Sequence, residues 1–388
     1  MMKYVIYTGV LFMPDKNAAA QRANAFARLI KLAGFMPVII GMNIENDSNC
    51  ILNSKEYRDN TLYFAMNYPN STTSWLKMLF DYRQIVVVME ELGKENIHSI
   101  IAMDYFAPAL NGLMSYCTKN KIRFIVDTVD WFAKSQYSFP KNIVKDLDTN
   151  LRMKWLNKKA DYMITISEYL KAYYENSKKR IVQIPGIYAQ GEEQCDLLRI
   201  DKTDSKILAF VGSPGLKCEK EKIDWVIKAI CKINSETLKI QFLIAGIDKE
   251  TLRKNRPDLT DLPQFDQSIL CLGKIEHDEC LKLISSSDFS VIIREDSLLS
   301  NAGFPTKLGE SFACGTPVLV TPTSDIKKYI PTGYGIITEN CTYDAVEKSL
   351  VLLTTYSAED ITRMHALVKS DNPLSYEKYI DEIKEVLG

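Results

Sequence analysis

Short apolar runs that alternate with longer helical patterns constrain this chain more than any other feature. Tyr4–Thr8, Pro37–Gly41, Ser99–Met103, Arg123–Asp127, Tyr162–Ile166 and Ile181–Ile184 are short and mostly apolar. Between them lie helical patterns at Ala18–Ala33, Trp75–Glu91 and Pro108–Lys119, a basic helix at Leu151–Lys159, and a helix capped by Ser167 that runs to Tyr174. Strands that are apolar along their length are covered on both faces, and strands joined by helices form parallel sheets. Tyr188–Lys206 breaks the pattern: it is polar and aperiodic, as expected of a linker. The alternation then restarts with strands at Ile207–Val211, Ile240–Ala245, Ile269–Leu272, Phe289–Ile293 and Val318–Thr321, and helices at Lys222–Ile233 and Asp278–Ser285. A length of 388 residues suits two domains better than one. The reading is an α/β protein with two Rossmann-like domains facing across a cleft, at residues 1–190 and 205–370. Residues 371–388 form a tail whose amphipathic helix, Tyr376–Val386, is expected to pack back on the first domain. Ligands of open α/β sheets bind beyond the carboxyl ends of the strands, so function is sought in the loops that follow strands.

Composition excludes several classes. With 48 basic and 49 acidic side chains the net charge is −1, which gives no overall attraction for nucleic acid. The nine cysteines are odd in number and scattered without a CxxC pair, so free thiols are expected rather than disulfides or zinc. With three histidines, no metal or cofactor site is expected. The apolar start Tyr4–Met13 is broken by Thr8 and Gly9 and followed by Asp15, which suits a first strand better than a leader. No run approaches the roughly 18 apolar residues of a membrane span, and a cytoplasmic location is expected. The basic stretch Arg152–Lys159, with Lys141 and Lys145 upstream, suits either a solvated helix face or peripheral contact with an anionic surface at the inner face of the membrane.

The chemistry concentrates in Asn301–Thr321. Pro305 suits the first turn of a helix, Gly315 its end, and Pro317 prevents continuation, which places a helix over Pro305–Cys314 after the loop Ser300–Phe304. Its unsatisfied N–H groups and positive dipole end favour phosphate. Gly303 permits close backbone approach. Lys307 lies in the first turn and can add a full charge toward a diphosphate, and Glu310, one turn deeper, is placed to accept hydrogen bonds from a ribose diol. A solvated Lys307–Glu310 pair is the plain structural alternative. Gly212-Ser213-Pro214-Gly215 is not a dinucleotide fingerprint, and no Walker lysine motif is present.

GFPTKLGESFACGTPV resembles the donor-binding helix of retaining glycosyltransferases of the two-domain GT-B type, in the family-four-like bacterial group, as its PTKL-x-E variant. PDKNAAAQRANAFARLIKLAGFMPVIIG, KKADYMITISEYLKAYY, IVQIPGIY and ILAFVGSPGLK are similar to further segments of that group. The resemblance implies donor contacts at Gly212, Ser213, Lys217, Thr306, Lys307 and Glu310, and nucleobase contacts near Gly273 to Ile275. Many members carry a second glutamate, which here falls at Ala302. Backbone groups of Ala302, Gly303 and Phe304 could replace it, with Glu295 or Asp296 approaching from the strand end. The first loop, with paired glycines in the group, is Asn17-Ala18-Ala19 here; Asn17, Ala18 and Arg22 are the acceptor-side candidates.

The implied reaction is transfer of a sugar, hexosyl in type, from a nucleotide-diphosphate sugar to a glycan or lipid-linked acceptor in cell-surface polysaccharide synthesis, with retention. Lys217, Lys307 and the helix N-terminus would neutralise the leaving diphosphate without a metal. The donor phosphate serves as base, and Asp104 or Asp130 orients acceptor or sugar; capping roles are the alternative for both aspartates. Two other readings keep the fold: a sugar-nucleotide 2-epimerase, and a non-catalytic partner subunit.

Overall fold

The structure is a computed structural model that describes residues 2–13, 16–43, 50–131, 141–177, 180–188 and 205–388. The chain forms two compact units: Met1–Ala189 with Asn301–Phe304 and Tyr376–Gly388, and Gln190–Ser300 with Pro305–Ser375.

The first unit holds strands β1 (Tyr4–Phe12), β2 (Met36–Asn43), β3 (Glu56–Arg58), β4 (Thr61–Asn67), β5 (Ile97–Met103), β6 (Arg123–Thr128), β7 (Tyr162–Thr165) and β8 (Arg180–Gln183). They form one sheet in the order β3-β4-β2-β1-β5-β6-β7-β8, parallel except for β3. The strand order reverses at β1, where Val5 pairs with Pro37 of β2 on one side and Ser99 of β5 on the other. Val5, Tyr7, Ile39, Ile101, Ile125 and Ile164 enter one core with Phe26 and Ile30 of the helix Ala18–Leu32. Ile383, Val386 and Leu387 of the terminal helix Ile380–Leu387 join that core. Arg123 anchors this helix by donating to the Val386 carbonyl at 3.0 Å.

The second unit holds β9 (Lys206–Val211), β10 (Ile240–Ala245), β11 (Ile269–Gly273), β12 (Phe289–Ile292), β13 (Val318–Val320) and β14 (Gly335–Ile337). Its sheet is parallel throughout, in the order β11-β10-β9-β12-β13-β14, and reverses at β9. Leu208, Phe210, Ile244, Phe289 and Leu319 pack against Val226, Ile227 and Ile230 of the helix Ile223–Ile233.

Three expectations change. Trp75–Glu91 is not one helix but two, Thr72–Met78 and Arg83–Leu92, because the Asp81 carboxylate accepts from the Arg83 N–H and starts the second anew. The basic helix extends further upstream. Lys141–Leu151 continues through a π-helical turn, Arg152–Leu156, into a final 3-10 turn, Asn157–Lys159. The wider turn lets the consecutive Arg152 and Met153 both face inward. The expected open loop Ser300–Phe304 contains the end of a short helix, Leu298–Ala302. Most of the expected linker, residues 189–204, lies outside the described residues.

Candidate active site

The reversal point of the second sheet brings together residues from four separate segments. Gly212 follows β9 with φ +117°, a left-handed conformation that favours glycine. A side chain there would start 2.9 Å from Cε of Lys307, so the bare glycine leaves room for that lysine to reach the strand end. Lys307 enters from the helix Thr306–Ala313, and its ammonium lies 4.1 Å from the centre of the Phe210 ring. Glu221, fully buried ahead of the helix Ile223–Ile233, accepts through Oε1 from Lys307 Nζ at 3.0 Å. The same oxygen accepts from Nε and Nη2 of Arg294 at 3.0 and 2.9 Å. Arg294 lies two residues past the end of β12, and Thr321 fixes its backbone: the Thr321 hydroxyl donates to the Arg294 carbonyl and accepts from its N–H, both at 2.8 Å.

Electrostatics follow from this packing. Burial raises the Glu221 pKa, but Lys307 and Arg294 outweigh it and hold the carboxyl below its ordinary range. Burial lowers the Lys307 pKa, and Glu221 opposes that shift. Two cations share one carboxylate, so the cluster keeps a net positive charge next to the carboxyl end of β9. That arrangement suits an anion.

Glu310, also on the helix Thr306–Ala313, is half-buried. Burial raises its pKa, with His277 and then Lys307 opposing. The ion partner of Lys307 is Glu221, and the alternative of a solvated Lys307–Glu310 pair does not hold. His277 opens the helix His277–Ser286, just past Gly273–Ile275. Gly273 has φ +69°, and the Ile275 carbonyl accepts from the Cys280 thiol. Thr306 is half-buried at the helix start, whereas Ser213 and Lys217 are exposed. Lys217 uses its backbone, with its N–H donating to Glu219 at 2.8 Å and its carbonyl accepting from Arg256 at 3.2 Å.

Among the first-unit candidates, Arg22, Asp104 and the Ala302–Phe304 backbone need correction. Arg22 is not an acceptor-side surface residue. It is buried, bound through Nε and Nη2 to Asp127 at 2.8 and 2.9 Å, and donates to the carbonyls of Ile184 and Pro185. Tyr7 donates to the same aspartate at 2.6 Å. Asn17 caps the helix Ala18–Leu32, accepting from Ala20 at 2.9 Å and Phe12 at 3.1 Å; Ala18 beside it is exposed. Asp104, after β5 with φ +42°, is bound in an ion pair to the buried Arg152 and is not presented for an acceptor. Asp130 is half-buried. Ala302, Gly303 and Phe304 are buried with the first unit, where the Ala302 carbonyl accepts from the Ser167 hydroxyl at 2.6 Å; they do not form an open backbone cradle.

Glu221 and Arg294 were not legible as site residues. Glu221 sits in the run Glu219-Lys220-Glu221-Lys222, which reads as solvated charge. The available signal was positional: both follow strands at the reversal point. Among the described residues no His, Cys, Asp and Glu group could hold a metal ion, and no helix is long and apolar enough to cross a membrane.

Residues 205–355 match the family model of glycosyl transferases group 1. No curated protein matches the chain in sequence. Among solved structures, sucrose-phosphate synthase from Thermosynechococcus elongatus is similar with a TM-score of 0.69 at 13% identity, covering 98% of this chain and 97% of that one. The catalytic domain of starch synthase IV from Arabidopsis thaliana, bound to ADP and acarbose, gives 0.71 at 10% identity, covering 100% and 99%. WaaG, a glycosyltransferase involved in lipopolysaccharide biosynthesis, gives 0.62 at 13% identity, covering 98% and 99%. The fold is that of the GT-B glycosyltransferases, with two parallel-sheet α/β units.

Proposed function

We propose that the chain is a glycosyltransferase that takes a sugar from a nucleotide-diphosphate donor and passes it, with retention, to a glycan or lipid-linked acceptor in cell-surface polysaccharide synthesis. The observation that carries this reading is the Lys307–Glu221–Arg294 cluster at the reversal point of the second sheet, within the segment that matches glycosyl transferases group 1. Lys307 and Arg294 offset the charge of the donor diphosphate, Glu310 takes the ribose hydroxyls, and the loop Gly273–Ile275 meets the base. The acceptor oxygen forms the new bond to the anomeric carbon as the bond to the diphosphate breaks. The acceptor proton passes to the departing phosphate, whose negative charge the two cations stabilise. The residues present need no metal for this step.

The test incubates the protein with a panel of sugar nucleotides, with and without glycan acceptors, and follows nucleoside diphosphate release. Lys307→Ala and Arg294→Ala are each expected to weaken nucleotide binding in calorimetry by about tenfold or more, since each removes a charged partner of the diphosphate. Unchanged affinity in Lys307→Ala refutes the donor placement. Epimerised donor without transfer supports the epimerase reading, and no nucleotide binding by the wild type supports the non-catalytic one.

A further inference from the structure

One face of the first unit is apolar, exposed and flanked by cations. Ile143, Leu147, Leu151 and Trp155 recur every fourth residue along the helix Lys141–Leu151 and its π-helical extension. They are 49, 64, 45 and 68% exposed. Residues four apart share a helix face, so these four form one stripe. The other side of the same segment is anchored. Arg152 pairs with Asp104, the Met153 carbonyl accepts from Tyr174 at 2.8 Å, and Asp148 accepts from the Ala107 N–H at 2.7 Å. The stripe is therefore a displayed surface of a fixed element.

A second apolar segment adjoins it. The helix Thr72–Met78 buries none of its residues, and Leu76 and Phe80 are 46 and 65% exposed. The Leu79 carbonyl accepts from the Ala109 N–H at 3.1 Å. Since Asp148 binds Ala107, both apolar segments flank the first turn of the helix Ala107–Lys119. Lys77, Lys154, Lys158 and Lys159 are exposed beside these apolar side chains, and Lys158 lies over the Tyr173 ring. The only acidic residues of 141–159 are Asp146 and Asp148, and Asp148 is turned inward.

We propose that this face docks the protein on an anionic phospholipid surface, with the Ile143–Trp155 stripe and Phe80 entering the headgroup region and the lysines meeting lipid phosphates. An apolar face about one helix wide, ended by a tryptophan and bordered by lysine, is the chemistry of an interfacial helix. A protein partner would need acidic patches matched to each lysine, whereas an anionic bilayer supplies charge at every position.

The test co-sediments the full chain with phosphatidylcholine vesicles, alone or with about 30 mol% phosphatidylglycerol, at low and high salt. The double variants Leu147→Ser/Trp155→Ser and Lys154→Glu/Lys158→Glu are compared with Leu352→Ser, an exposed leucine of the second unit, after unchanged melting confirms folding. The wild type and Leu352→Ser are expected to bind only the anionic vesicles, less at high salt, and either double variant about tenfold more weakly. Failure of the wild type to bind anionic vesicles overturns the proposal, as does equal binding by both double variants. A concentration-dependent dimer that Leu147→Ser/Trp155→Ser abolishes, with no vesicle binding, also overturns it and assigns the face to a second copy.

Discussion

Replacing Glu221 with Gln tests the central cluster because it removes one charge and little volume. In the wild type, Oε1 holds three charged hydrogen bonds, from Lys307 and twice from Arg294, at 2.9–3.0 Å. Breaking a buried pair by neutralising one partner costs about 3–5 kcal/mol. The Gln oxygen still accepts, and the Lys307 and Arg294 side chains are 15 and 17% exposed, which leaves water some access. The expected cost is therefore at the low end, about 3 kcal/mol. For a unit of this size that corresponds to a fall of about 9 °C in Tm, readable by calorimetry at neutral pH. Because Lys307 and Arg294 hold the Glu221 pKa down, its contribution is present above the unfolded carboxyl pKa of about 4.3 and is lost as pH falls through the folded value. The melting gap between wild type and variant should accordingly close in acid. Inorganic pyrophosphate provides the functional arm. Without Glu221, desolvation and the neighbouring Arg294 drive Lys307 toward its neutral form and neither cation is held in place, so pyrophosphate should raise the variant's Tm less than the wild type's. A variant within about 1 kcal/mol of wild type would refute the reasoning, since that is the range of a weak surface pair. Equal pyrophosphate shifts would refute the anion assignment.

Three further outcomes follow from the same geometry. Arg22→Lys cannot keep the two-pronged contact with Asp127 and both carbonyls, so the first unit should lose about 2–3 kcal/mol while calorimetric nucleotide affinity is unchanged. Burial raises the Glu310 pKa, so that group's stabilising contribution is present below its unfolded pKa and lost as pH rises through the folded value. Glu310→Gln should then melt above wild type at neutral pH, match it in acid, and bind nucleotide more weakly at all pH values. Gly246, at φ +120°, would place a Cβ 2.3 Å from the Gly212 carbonyl, so Gly246→Ala should cost about 2 kcal/mol and weaken nucleotide binding by moving Gly212.

The strands were legible because buried parallel strands are written as continuous apolar runs: β1, β5, β9 and β10 begin and end within a few residues of Tyr4–Thr8, Ser99–Met103, Ile207–Val211 and Ile240–Ala245. β3, β4 and β14 escaped: β3 and β14 are three residues long and, unlike the fully buried β13, exposed or half-buried, and β4 lies between Asn43 and Thr73, where the sequence pattern is unclear. The break between Trp75 and Glu91 was hidden because Asp81 acts through one cap, which apolar spacing does not register. The placement of Lys307 and Glu310 on one helix was readable because that helix has clear ends. The roles of Arg22 and Asp104 were not, because each is decided by a partner far off in sequence, Asp127 and Arg152; that of Asn17 lies in a short-range cap, accepting from Ala20 and from Phe12 at the end of β1. A charged residue that follows a strand can face ligand or clamp neighbouring elements, and only the partner distinguishes the two.

Glu221 shows how such a partner can serve function as well as stability. A lysine as buried as Lys307, with Arg294 nearby, would be driven toward its neutral form by desolvation and like charge. The carboxylate opposes that drive and holds both cations in place before any ligand arrives. Arg294 is also fixed through its backbone by Thr321, so neither cation need search for its position. An anion entering beside Gly212 would meet charges already oriented, and stabilisation by fixed charges is largest when no reorganisation accompanies the reaction. On the proposed reading, the buried carboxylate that looks opposed to binding a diphosphate is what keeps the binding charges present.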